Sequence, residues 1–108
     1  VSPPMIRHCV FARFRPEITA EEKAGIYAGL RALVGRIDGL LAADFGPNIS
    51  LEGKSQGFED GFIMDLADRA ALERYLVDPE HKAAGARLGA ALEGGGQGIV
   101  VFDLEIPG

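Results

Sequence analysis

The hydropathy pattern of this 108-residue chain predicts an α+β fold with elements in the order β-α-β-β-α-β. Three observations carry that expectation. Apolar, strand-like runs stand near both ends, at Met5 to Phe14 and Ile99 to Ile106. Thr19-Ala20-Glu21-Glu22 is a capping box, in which the Thr19 hydroxyl accepts from the Glu22 N–H while Glu22 reaches back, so a helix opens there. Finally, Asp78-Pro79 interrupts a second helical pattern with an N-cap oxygen followed by a proline at the first position of a new helix.

Taken in order, the chain begins with a Pro-rich lead, Val1 to Pro4, read as a tail to a single domain spanning 5–106. The first strand, Met5 to Phe14, contains the continuous apolar residues Cys9, Val10 and Phe11, and Pro16 closes it. The helix opened by the capping box runs to about Arg36, with Ile26, Leu30, Leu33, Val34 and Ile37 on one stripe. Gly25 and Gly29 each weaken it by about 1 kcal/mol relative to alanine, and either permit close approach to a sheet or are simply tolerated. Asp38-Gly39 turns the chain into a short second strand, Leu40 to Gly46. Pro47 to Gly57 is polar and Gly-containing, which makes it a loop. In Phe58 to Leu66 the alternation places Phe58, Asp60, Phe62, Met64 and Leu66 on one face, with Asp60 the polar exception. Helical spacing returns at Arg69 to Val77 and from Pro79 to about Leu92. Glu93 to Gly98 is a Gly-rich connection that precedes a strand rather than a helix and lacks a Gly-Lys-Ser/Thr ending. It reads as a turn rather than a phosphate cradle.

This order is that of the ferredoxin-like split βαβ arrangement, a four-stranded antiparallel sheet with both helices on one face. A sheet with one wet face should alternate polar and apolar residues. Cys9-Val10-Phe11 and Ile99-Val100-Val101-Phe102 do not alternate, so the second face needs a cover. A second copy of the chain is the expected one, giving a homodimer.

Composition narrows the function classes. The apolar fraction of 47% and charged fraction of 25% are those of an ordinary soluble globular domain. A net charge of −5 offers no basic face for a phosphate backbone, which argues against nucleic acid as a partner. No apolar run approaches a membrane span and no signal peptide is legible, so no membrane association and a cytoplasmic location are expected. Cys9, the single cysteine, excludes CxxC motifs and reads as a small buried apolar residue. Two histidines and scattered carboxylates show no ligand spacing, so no metal and no cofactor are expected.

The segment Tyr75-Leu-Val-Asp78-Pro79-Glu80-His81 is where chemistry is most concentrated. Tyr75 and His81 lie six residues apart across the helix break. His81 falls in the first turn of the new helix, where the dipole disfavours imidazolium while Asp78 and Glu80 favour it. A neutral imidazole there suits a general base. The alternative is that Asp78-Pro79 is only a helix start and His81 a solvated first-turn residue. Tyr75, on a helix stripe, is by default a core residue with its hydroxyl at the rim. His8 shares a strand face with Val10 and Phe14, where a histidine is more often a hydrogen-bonded core residue. Asp60 reads either as a carboxylate facing a ligand cavity or as a strand-end residue that reaches water.

The residues Met5-Ile6-Arg7-His8-Cys9-Val10-Phe11 with Phe14-Arg15-Pro16 carry a resemblance to a known family. Further matches are Gly46-Pro47-Asn48-Ile49-Ser50 with Glu52, Gln56-Gly57-Phe58, Tyr75 with Asp78-Pro79-Glu80-His81, and Val101-Phe102-Asp103. Together they resemble the stress-responsive dimeric α/β-barrel domain, from Met5 to about Ile106. The resemblance implies a ferredoxin-like subunit whose sheet pairs with a second subunit's to close a barrel, with the helices outside. It also implies that His81 acts as acid/base with Tyr75 assisting and His8 lining the cavity, as in a plant branch of cofactor-free polyketide cyclases. In that branch another histidine stands where this chain has Asp60, and the Gly-rich segment before the last strand is shorter.

Three functions are therefore expected in competition. The first is cofactor-independent acid–base catalysis of cyclase or lyase type on a small apolar carbonyl substrate, with His81 and Tyr75 catalytic and His8, Asp60 and Phe62 at the substrate. The second is a module that binds a small apolar ligand without chemistry. The third is a stress-protective homodimer with no defined activity.

Overall fold

The computed structural model describes residues 4–108, so most of the expected tail, Val1 to Pro3, lies outside the described residues. The elements are β1 (Met5–Ala12), α1 (Ala20–Arg31), β2 (Leu40–Pro47), β3 (Asp60–Leu66), α2 (Arg69–Val77), α3 (Pro79–Ala91), a 3-10 turn at Gly95–Gly98, and β4 (Ile99–Ile106). The four strands form one sheet in the order β2-β3-β1-β4, with every neighbouring pair antiparallel. This is the ferredoxin-like arrangement, with β1 and β3 at the centre.

The side chains that alternate to one face of the central strands, Ile6, Val10, Phe62, Met64 and Leu66, are buried under the helices. Ile26 and Leu30 from α1, Ala71 and Tyr75 from α2, and Leu88 from α3 complete that core. The Thr19–Glu22 capping box is present at the start of α1. At the second break Asp78 ends α2 and caps α3, its carboxylate accepting from the Glu80 and His81 N–H groups at 2.8 and 3.0 Å. Proline at the next position completes this stop-and-restart.

Several boundaries differ from the sequence expectation, β2 by one residue at Pro47 and three others by more. β1 ends at Ala12, and Phe14 instead forms an isolated bridge with Leu92. α1 ends at Arg31 rather than Arg36, because Leu33 and Val34 bond back three residues, to Leu30 and Arg31, and Gly35 takes φ +84°. Ile37 still reaches the core, so the apolar stripe survives while the helix does not. β3 starts at Asp60, since Phe58 N donates to the Ser55 carbonyl in a turn ending at Gly57, φ +86°. Gly25 and Gly29 face the guanidinium of Arg87 on α3 rather than the sheet, with 3.3 Å between an added Gly29 Cβ and Arg87 Nη1. Gly39 is required twice over: its φ is +88°, and a Cβ there would lie 2.5 Å from that of Ala71.

The opposite face of the sheet carries no helix. Phe11, Ile63, Phe102 and Leu104 point from it, 37–56% exposed. The two-sided apolar strands are therefore real and uncovered within one chain.

Candidate functional site

His8 sits mid-strand on the helix face of β1 and is 4% exposed. Its Nδ1 lies 2.6 Å from Asp103 Oδ1, and Asp103 is the residue directly across the β1–β4 ladder. An ionised carboxylate only accepts, so this contact places the proton on Nδ1 and leaves Nε2 with the lone pair in the neutral ring. Tyr75, 1% exposed, meets the His8 ring edge-on at 5.3 Å between centroids. His81 lies over the other side of Tyr75, the two rings 3.8 Å apart and tilted by 34°. The three side chains singled out in the sequence thus form one row, His8–Tyr75–His81, extended at one end by Asp103.

Burial shifts Tyr75 and His81 in opposite directions, each towards its neutral form. Burial drives the Tyr75 hydroxyl far above its ordinary value, and the Asp103 charge adds to this, so Tyr75 remains a hydrogen-bond donor at neutral pH. Burial also lowers the His81 pKa, with His8 a further depressing influence; Asp78 and the Tyr75 carbonyl oppose them only in part. The His81 ring is half-buried, and its Nδ1 is buried with no hydrogen-bond partner. A neutral imidazole with an unengaged nitrogen beside a phenol can accept or relay a proton. His81 is packed against Tyr75 rather than standing free in the solvent.

Asp60 and Phe62 lie apart from this row. Asp60 is at the strand end but does not simply reach water: its Oδ2 accepts from Lys23 Nζ of α1 at 3.0 Å, and its side chain is 14% exposed. Phe62 is a core residue within an aromatic cluster with Phe45 and Tyr27. Both also border a cavity of about 670 Å³, which opens on the helix-free side of the sheet among Phe11, Gly46, Gly61, Ile63 and Phe102. His8, Tyr75 and His81 do not line it.

Two residues escaped the sequence reading. Asp103 is one; the signal for it was the antiparallel pairing of the terminal strands, which sets His8 opposite one of the few carboxylates of β4. Tyr27 is the other. It stacks on Phe45 at 4.7 Å, and its hydroxyl is buried without a partner. Burial and nearby Asp60 push its pKa up to about 12. Among the described residues, no group of three or more His, Cys, Asp or Glu could hold a metal ion, and no helix is long and apolar enough to cross a membrane.

Residues 6–106 match the stress responsive A/B barrel domain. The chain belongs to that family. A curated relative, the stress-response A/B barrel domain-containing protein HS1 of Arabidopsis thaliana, is 25% identical over 76 residues, 70% of each chain. Among solved structures, a dimeric ferredoxin-like protein of unknown function from Jannaschia sp. CCS1 is similar at 35% identity and TM-score 0.87, covering 94% of this chain and 99% of that one. A hydroxynitrile lyase from Passiflora edulis shares the fold at 20% identity and TM-score 0.84, covering 96% and 94%.

Proposed function

We propose that this A/B barrel domain works as a homodimer, joined through its helix-free sheet face, that performs cofactor-independent acid–base catalysis of cyclase or lyase type on a small apolar carbonyl compound. The single observation that carries the reading is Tyr75 held between two imidazoles, one fixed by Asp103 and one with an unengaged Nδ1. In the proposed mechanism His81 removes the proton from substrate. Tyr75 donates its O–H to the carbonyl oxygen on which negative charge develops. His8, steadied by Asp103, packs edge-on against Tyr75 and holds it in place. Positioned proton transfer of this kind contributes typically 10²–10⁴-fold. A hydroxynitrile lyase built on the same fold supports the lyase side of the reading as precedent for the scaffold, and the dimeric Jannaschia relative supports the pairing.

The observation favouring the second reading, ligand binding without turnover, is that the 670 Å³ cavity lies on the other face of the sheet from the His8–Tyr75–His81 row. Assaying wild type and His81→Asn against cyanohydrins and linear triketide thioesters separates the two. Catalysis predicts turnover by wild type that falls at least 100-fold in His81→Asn with the thermal midpoint and dimer retained. Equal rates in both proteins, or no turnover of either class, sink the enzyme reading.

A further inference from the structure

We infer that the loop between β2 and β3 is a gate on the cavity described above, and that Arg13 is its latch. Residues 48–58 supply one wall of that cavity through Asn48, Lys54, Ser55, Gln56 and Phe58, while the sheet supplies the floor. The loop is braced within itself. Asn48 N donates to the Glu59 carbonyl at 2.8 Å, Asn48 Nδ2 to Ser55 Oγ at 2.6 Å, and Phe58 N to the Ser55 carbonyl at 3.0 Å. Its tie to the rest of the molecule is narrower. Among the described residues, Arg13 makes the only side-chain hydrogen bond joining this loop to a residue beyond β2 and β3.

Arg13 itself is clamped. Its N–H donates to the Gly98 carbonyl and its carbonyl accepts from the Glu93 N–H, both at 2.8 Å, so the two ends of the Gly-rich segment hold its backbone. From that fixed point the guanidinium reaches two carbonyls at once. Nη2 donates to Gln97 at 3.3 Å and Nη1 to Gln56 at 3.4 Å, while Cζ lies 5.0 Å from the centre of the Phe58 ring, a cation–π contact. The Gly-rich segment is thus the mount of the latch. Two features make the latch releasable. Both guanidinium bonds are exposed and longer than the roughly 2.7–3.2 Å of ordinary N–H···O bonds, and the buried Nε has no partner. The latch also grips a strained residue. Gln56, at φ +55°, is the one non-glycine among the described residues in the left-handed region. Such a conformation persists only where the surroundings impose it, and the Gln56 carbonyl is what Arg13 holds. Releasing it lets Gln56 relax together with Gly57, φ +86°, which makes this pair the hinge. Ile49 and Leu51 ride on the moving segment, 83% and 100% exposed, as apolar tips suited to close over an apolar occupant.

The gate rests on the ligand-binding reading given above and deepens it, so two measurements on the full chain separate them. Amide exchange followed by NMR in wild type, Arg13→Met and Gln56→Asn reads the latch. Methionine keeps the stem and removes both bonds, and asparagine enters the left-handed region more readily than glutamine. The Asn48 and Phe58 amides should exchange at least tenfold faster in Arg13→Met and more slowly in Gln56→Asn. Those of Val10 and Met64, in the central strands, should not change in either. Stopped-flow mixing with 1-anilinonaphthalene-8-sulfonate reads the gate. Arg13→Met should raise its association and dissociation rates at least fivefold each and leave Kd within twofold, since a latch controls passage and not the pocket. Unchanged loop exchange in either variant, or a loss of protection that spreads to Val10 and Met64, overturns the strained latch and leaves the binding reading standing. Equal binding rates in wild type and Arg13→Met overturn the gate. A wild type that does not bind the probe overturns the binding reading and the gate with it.

Discussion

Tyr75 and Tyr27 make an internal comparison. Each projects from a helix stripe onto the same face of the sheet, and burial raises the pKa of each. Tyr27 lies among Phe14, Phe45 and Phe62, with a buried hydroxyl that bonds to nothing and the Lys23–Asp60 ion pair close by. Tyr75 lies between two imidazoles. The difference teaches that a raised phenol pKa does not make a reactive site, because packing alone produces one. What sets the Tyr75 end apart is its neighbours, two imidazole rings in place of phenyl rings. At the Tyr27 end the nearest charged groups, Lys23 and Asp60, are paired with each other at 3.0 Å.

The largest expected effect lies at Tyr75 itself. Truncating a fully buried aromatic costs about 3–5 kcal/mol, so Tyr75→Ala should lower the urea midpoint severely, whereas Tyr75→Phe should keep the fold and lose only the proposed chemistry. A Tyr75→Phe variant with undiminished turnover would remove the hydroxyl from the mechanism. Next in size is Asp103→Ala. It leaves the His8 imidazole buried without its partner and should cost about 1–3 kcal/mol by denaturant unfolding. Imidazole nitrogen shifts in the same variant should show His8 losing its fixed Nδ1–H tautomer, which a purely steric role for Asp103 would not cause.

Acidification sharpens the contrast further. The folded state holds His81 below its ordinary pKa, so between about pH 6.5 and that lowered value the unfolded chain binds more protons than the folded one. Stability should therefore fall as pH drops below about 6.5 and level off once the folded ring also protonates. Thermal midpoints of His81→Asn should lack this component. If the variant and wild type decline in parallel, His81 is not held neutral. The smallest effect belongs to the other tyrosine. Tyr27→Phe removes a buried hydroxyl that has no partner, so stability should change by less than about 1 kcal/mol and in the favourable direction. A loss by differential scanning calorimetry would mean that the hydroxyl is bonded after all.

Local signals were legible in the sequence and long-range ones were not. The Thr19 capping box, the Asp78-Pro79 restart and the alternation through Phe62, Met64 and Leu66 are each written within a few residues, and all three stand in the fold. The end of α1 was misread for a physical reason: Leu33 and Ile37 keep helical spacing while tight turns and Gly35 carry them, and periodicity does not distinguish the two. The ion pair of Asp60 was not legible, because Lys23, 37 residues away, answers its charge. In the candidate site, Tyr75 and His81 were visible as a pair across one helix break, and the resemblance added His8. Asp103 is separated from His8 by 95 residues, and only strand register brings it there.

That separation has a consequence for how the chain finds its fold. β4 is an edge strand of the described sheet, and most of the residues it presents to β1 are interchangeable apolar ones. Slid by one residue, β4 would turn Phe102 or Leu104 toward the helices; slid by two, it would put Val101 or Glu105 opposite His8. Only the observed alignment sets Asp103 opposite the buried imidazole, at 2.6 Å. The His8–Asp103 pair thus acts as an alignment pin for this edge strand, telling a repetitive ladder where to stop.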